Sequence, residues 1–294
     1  MKNRTESTEN LGICSREACR KHFTPDTLLL EYDKPIHFVQ SQFECGRNYY
    51  IVWRVSWAIY HVACVIGTGI LMKNNDGGTD ARWFIYLTNW SYTMLTLDTL
   101  LQFIAIIYVN KRREDIIYDA CSQMPWFLKA IWCIYNVSNC SALVVTLLYW
   151  SLLQDVSFGN IVVHLLNGVY VVVNMPLTAI PVRIYHFYQL MIFGTAYVMF
   201  SYVYETAGGI GYNDEKYIYP QMAWKYPEIA ITYSVLGVFV AIPVCHAFFF
   251  LMYWTRVTVY ERNLQRTVAV IDSETAAAIK RSDKSITTTR TESC

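Results

Sequence analysis

The sequence predicts an all-α integral membrane protein, with six transmembrane helices in one bundle and both chain ends in the cytosol. Three observations lead there. Six apolar runs, at 51–72, 83–108, 125–153, 159–182, 187–206 and 228–254, each approach or exceed the ~20 residues that cross a bilayer. They lie between two polar ends, so a whole-chain mean hydropathy of +0.23 understates how apolar the middle is. Lys and Arg are also unequally divided. With the N-terminus inside, the cytosolic flanks hold eleven: Lys34, Arg47, Arg54, Lys111, Arg112, Arg113, Lys129, Arg183, Arg256, Arg262 and Arg266. The outer loops hold four, Lys73, Arg82, Lys216 and Lys225. That bias fixes the orientation, and an even number of spans returns the C-terminus to the cytosolic side.

Residues 1–50 form a polar cytosolic segment with no early apolar core, so no secretory signal peptide is expected. Residues 51–254 carry the six helices. The third and sixth runs are long enough to tilt or to extend past the headgroups. Pro176, Pro181 and Pro243 lie in or at the ends of spans, where neighbouring helices can absorb them. Residues 255–294, with "KRSDKSITTTRTES" near the end, read as a cytosolic and largely disordered tail. Nine cysteines fall on the cytosolic side or within spans and none in an outer loop, so no disulfide framework is expected. The sequons at Asn3, Asn89, Asn136 and Asn139 are cytosolic or intramembrane in this topology and should stay unmodified.

Several function classes drop out. A net charge of +1 with no basic-aromatic pattern gives nucleic acid nothing to bind. No HExxH, GxSxG, P-loop or zinc spacing is present, and no cofactor or metal is expected. His61 and His246 sit near mid-membrane without a second pair at matched depth, so helix-to-helix hydrogen bonding is expected of them rather than haem ligation. His186, in "PVRIYHFY", falls at the inner boundary.

Two spans keep polar faces that hydrocarbon penalises. In the second, Thr88, Ser91, Tyr92, Asp98, Thr99 and Gln102 share one face at helical spacing, and Asp98 is the most costly of them. Most of these groups suit hydrogen bonding between helices. In the fourth, "HLLNGVYVVVNMP" places His164, Asn167 and Asn174 on one face. Both spans run inward, so Thr88 and His164 each lie about 6–8 Å inside the outer boundary. A hydroxyl and an imidazole at matched depth are the minimum for a base-activated nucleophile; a packing histidine is the alternative. Thr88 and His164 are therefore the catalytic candidates, with Asn167, Asn174, Ser91 and Asp98 in support.

The segments "HFVQSQF" (37–43), "YLTNW" (86–90), "VTLLYW" (145–150), "HLLNGVYVVVN" (164–174), "PVRIYHFY" (181–188) and "YIYPQMAWKYPEIA" (217–230) occur in the order seen in the rolling stone family. The resemblance covers nearly the whole chain up to the tail. It implies a multi-pass membrane protein, and a part in myoblast fusion through the family's founding member. The chain departs from the pattern at Ala223, where an acidic residue is expected. A more distant resemblance is to the androgen-induced membrane hydrolases, six-span enzymes that cleave fatty acid esters of hydroxy fatty acids. Their intramembrane threonine and histidine match Thr88 in "YLTNW" and His164 in "HLLN".

Three readings follow: a non-enzymatic component of cell fusion or membrane organisation, a lipid ester hydrolase, and a transporter or channel lined by spans two and four. All imply membrane lipids as partners, with a lipid ester as substrate in the second, in the plasma membrane or the endoplasmic reticulum. An enclosed, lipid-accessible cavity favours the hydrolase, tight packing around His164 favours a structural role, and a continuous wet path favours transport.

Overall fold

The computed structural model describes residues 23–43, 46–71, 81–121, 123–152, 156, 158–211 and 214–291; the side chains of 71, 158 and 276–291 fall outside that description. The expectations for Asn3, Cys14, Cys19, Cys45, Lys73 and Cys294 lie outside the described residues. Within them the chain is nearly all helical, with no strand and a single antiparallel bridge between Ser41 and Thr178.

The main helices are α1 (Arg47–Leu71), α2 (Leu87–Arg112), α3 (Trp126–Leu152), α4 (Leu166–Leu177), α5 (Phe187–Thr206), α6 (Pro227–Leu236) and α7 (Ile242–Thr291). Four stretches, over 47–70, 87–112, 126–152 and 227–275, are long and apolar enough to cross a membrane. Ile161–Leu177 is apolar but shorter, and α5 has 20 residues. The helix ends follow local chemistry. Lys111 and Arg112 occupy the last turn of α2, where the dipole favours cations. Pro227 opens α6, a position whose N–H would be unpaired in any case. Pro176 sits one residue before the end of α4, after which Thr178 is already extended.

The chain divides into two compact units, Met1–Met252 and Tyr253–Cys294, with α7 continuing from the first into the second. The expected disordered tail is helical through Thr291. Its alanines and long polar residues, as in "ETAAAIKR", are strong helix formers even where 261–275 is exposed.

In the first unit α2 and α3 form the most extensive helix pair; α1 packs on α2, and α4 and α5 pack on α3. Val137, Cys140 and Val144 of α3 meet Leu190 of α5 and Ile242 and Cys245 of α7 in an apolar core. The other side of α2 and α3 is polar. Ser91 and Ser141 hydroxyls lie 2.9 Å apart, and small residues there let the backbones approach. Asp98 accepts from the amides of Gln102 (2.8 Å) and Asn139 (3.0 Å).

The buried stripe of α1, Tyr50, Arg54, Ala58 and His61, follows helical spacing. It corrects one assignment: Arg54 is not a cytosolic flank residue but is buried at 1% exposure. Its guanidinium donates to the Tyr50 hydroxyl (2.6 Å) and to Asn174 Oδ1 (3.0 Å), and lies within 3.5 Å of the Tyr170 hydroxyl. Trp53 donates to the same Asn174 oxygen at 3.2 Å. The polar stripe of α4 thus serves, at Asn174, to solvate an arginine. Replacing Asn174 with Leu removes that acceptor and should cost about 2 kcal/mol, in the range for hydrogen bonds to charged groups. Unfolding of detergent-solubilised protein, compared with Asn174→Gln, measures it.

Residues 23–43 lie across one end of this unit. Arg183 donates to the carbonyls of Leu29 (2.6 Å) and Glu31 (2.5 Å), Lys129 pairs with Glu31, and Phe38 packs edge-on against Trp132. Beneath them His186 is buried at 1% exposure, and its Nδ1 accepts from the Asn136 amide at 2.9 Å. Burial, and then the neighbouring Arg183 charge, lowers its pKa to about 4. The unfolded chain takes up a proton near pH 6.5 that folded His186 refuses. Stability should therefore fall as pH drops from about 6.5 towards 4, and His186→Gln should flatten part of that slope in melting curves from pH 7.5 to 4.5.

Candidate functional site

Two of the helices are rewound. Between Phe158–Asn160 and α4 the chain makes a π turn, Ile161–Leu165, and a second π turn, Gly237–Ala241, joins α6 to α7. The second stands directly before Pro243, which has no N–H to return to the carbonyl four residues back. The first carries His164, and it packs on both α2 and α3. Its displaced carbonyls find side chains. The Thr146 hydroxyl lies 2.6 Å from His164 O and 2.8 Å from Ala142 O, and Asn167 Nδ2 donates to Val163 O at 2.7 Å. Close approach of α4 to α3 rests on Gly168, where a Cβ would stand 2.7 Å from Thr146 Oγ1.

His164 is buried with its imidazole stacked face to face on Tyr149, ring centroids 3.6 Å apart at 7°. Its Nδ1 has no hydrogen-bond partner among the described residues. Tyr149 in turn faces a cavity of about 480 Å³, whose wall also includes Thr88, Ser151, Tyr219, Gln221 and Gly237. Thr88 is the second residue of α2, which begins at Leu87 after extended Tyr86, later than the Trp83 start expected from sequence. Beside it stands the Tyr219 phenol, which accepts the Leu87 N–H at 3.1 Å. Burial pushes that phenol up to about 12, with the Thr88 hydroxyl pulling the other way, so Tyr219 remains a neutral donor at any working pH.

The loop carrying Tyr219 and Gln221 is held in place by charges from outside it, Glu205 near the end of α5 and Arg82 ahead of α2. Glu205 accepts the backbone N–H groups of Ile218 (3.2 Å) and Trp224 (3.0 Å), and Trp224 Nε1 donates to Ser201. Arg82 holds Gly211 O and Asp214.

The sequence candidates therefore separate. Thr88 lines the cavity, and His164 forms the layer behind Tyr149 without lining it; no hydrogen bond joins the two among the described residues. Asn167 braces the π turn. Asn174, Ser91 and Asp98 belong to the interior network around Arg54 and α3 rather than to the cavity. Tyr149, Tyr219, Gln221 and Gly237 were not read from the sequence. "VTLLYW" and "YIYPQ" contain them, but periodicity alone does not single out one aromatic among many.

A family model described as Protein rolling stone matches residues 17–279. The chain belongs to the rolling stone family. Protein rolling stone of Drosophila melanogaster is 23% identical over 225 residues, covering 72% of this chain and 80% of that protein. No solved structure matches the chain. Membership and the long apolar helices make this a rolling stone type multi-pass membrane protein.

Since the His164 turn depends on Gly168, the Gly168→Ala variant should push Thr146 off the His164 carbonyl. Overpacking of this kind costs about 1–3 kcal/mol. The melting temperature should fall, and a second-site Thr146→Ser, which removes one methyl, should restore part of the loss.

Proposed function

We propose that this rolling stone family member organises membrane at sites of cell contact and fusion, and does so by holding an amphiphile in the cavity between α2, α3 and the second π turn. The observation that carries this is the cavity itself. It is walled mostly by apolar side chains, with a small hydroxyl and amide cluster of Thr88, Tyr219 and Gln221. Several of its wall residues, Leu236 (49%), Val240 (50%) and Val244 (59%), are exposed on the apolar surface that a bilayer would cover, so a lipid could enter sideways.

The proposed topology has six spans, with α4 and its π turn as the fourth and α5 as the fifth, both chain ends cytosolic and the Tyr219 loop outside. The Lys and Arg division supports it. Removing the two buried arginines, Arg54 and Arg256, from the eleven inner cations leaves nine against four. The fusion setting rests on the family resemblance, and the plasma membrane is its natural place.

A second reading, hydrolysis of a lipid ester, has Thr88 as nucleophile and His164 as base. Its specific support is Thr88 in the cavity wall with an unpartnered imidazole nitrogen one ring away. It requires Tyr149 to move aside, because the stacked ring lies between His164 and the cavity face it would serve.

One experiment addresses both. The full chain, tagged at each end, is expressed in fusion-competent cells lacking their own copy and compared with Gly237→Leu and Thr88→Ala. Both tags should be reached only after permeabilisation. Gly237→Leu, which fills the cavity, should lose most content mixing, while Thr88→Ala should keep it if no ester is cleaved. Equal fusion with and without the chain would sink the proposal. Loss with Thr88→Ala, together with uptake of a serine/threonine-directed probe by wild type alone, would transfer it to the hydrolase.

A further inference from the structure

We infer that the cavity selects an uncharged, single-chain amphiphile whose head carries a hydroxyl or ester, a monoacylglycerol in chemical class, and that Thr88, Tyr219 and Gln221 read that head. The inference rests on the proposed amphiphile site and specifies its ligand.

The first argument is charge. Among the described residues, every side chain on the cavity wall is apolar, aromatic, hydroxyl or amide. A carboxylate or phosphate drawn in from water would meet no cation there, and an ammonium no carboxylate; either would lose its hydration uncompensated. Two ionic groups beside the Tyr219 loop are already committed: Glu205 to the backbone of Ile218 and Trp224, and Arg82 to Gly211 O and Asp214.

The second argument is hydrogen-bond capacity. The Tyr219 oxygen accepts from Leu87 N–H, and its hydroxyl shares a network with those of Thr88 and Tyr197, which a polar head can join. The Thr88 hydroxyl beside it can donate or accept, and Gln221 brings an amide that does both. Two hydroxyls and an amide match a glycerol or ester head. An alkane would leave them unsatisfied, which costs more than forming no bond in water.

The third argument is shape. From Tyr233 to Val244 the wall runs along twelve residues of α6, the π turn and α7, about 16 Å at helical rise. With a volume of about 480 Å³ this is a slot for one small amphiphile, within the ordinary range for single-ligand sites. The π turn contributes Gly237, where a Cβ would meet nothing within 4 Å. Gly237 lines the slot, so a larger side chain there narrows it without displacing the backbone.

The test uses the purified full chain in lipid nanodiscs and a photo-crosslinkable monoacylglycerol. Competitors are monoolein, ionised oleate, oleoyl lysophosphatidate and sphingosine. Monoolein should displace the probe at least tenfold better than any of the three charged lipids. The double variant Thr88→Val with Gln221→Leu, which keeps size and removes the polar head contacts, should bind the probe about tenfold more weakly at unchanged melting temperature. Gly237→Leu should abolish crosslinks to 236–244. Displacement by oleate, lysophosphatidate or sphingosine as good as by monoolein would overturn the selectivity while leaving an amphiphile site. Probe binding unchanged in the double variant would overturn the assigned reading residues. Absence of saturable crosslinking in wild type would overturn the amphiphile site itself, and the proposed function with it.

Discussion

Everything in the first unit is arranged around one buried cation. Arg54 has no carboxylate at salt-bridge distance among the described residues, and its guanidinium is instead held by the hydroxyls of Tyr50 and Tyr170, the amide oxygen of Asn174 and the face of the Tyr50 ring at 4.8 Å. A charge in hydrocarbon is tolerable only if dipoles replace its water, and each of these is fixed to a helix. Tyr50 is one turn back on α1, and Tyr170 and Asn174 are one turn apart on α4. The arginine therefore sets both the distance and the register between α1 and α4. Asp98, the opposite charge, is buried on α2 within its own shell of Gln102 and Asn139. The two charges favour each other's burial from a distance, which binds α2 and α3 into the same arrangement.

That constraint reaches the cavity through α4. With its C-terminal half fixed by Arg54, the N-terminal half has to meet α3 where Gly168 allows contact with Thr146. The helix accommodates the fit by winding wide over Ile161–Leu165. The π turn swings His164 onto Tyr149, and Thr146 and Asn167 supply donors for carbonyls that the α-helical ladder would otherwise have paired. The position of Tyr149 in the cavity wall thus follows from a charge near the opposite end of the helix.

The sequence made the membrane class and the polar faces legible because both are periodic. Leu, Val and Ile at lipid-facing positions and Thr, Ser, Asp and Gln at every third or fourth residue leave a signal along the chain. Arg54 was misplaced because a positive residue near a span end reads the same whether it points to the headgroups or to the interior; only the positions of Tyr170 and Asn174, more than a hundred residues later, distinguish the two. The π turns left no trace, since one extra residue in a turn alters hydrogen bonding but hardly alters composition. Thr88 was read correctly as a polar group near a span end, yet its neighbours Tyr219 and Gln221 come from a loop whose placement depends on Glu205 and Arg82 pinning its backbone. No period marks such a loop.

The Ala223 departure has a physical reading in the same terms. The resemblance implies a carboxylate there, but in this chain the neighbouring backbone N–H groups of Ile218 and Trp224 are already taken by Glu205, and Ala223 is buried at 6% exposure. A second carboxylate would bring a like charge towards Glu205 in a confined loop, and like charges held close are costly where water is scarce. One anion from α5 can hold the loop only if its own residues leave that position apolar. Among the described residues the cavity wall likewise carries no ionised group, so the charges that hold Tyr219 in place stay outside the cavity.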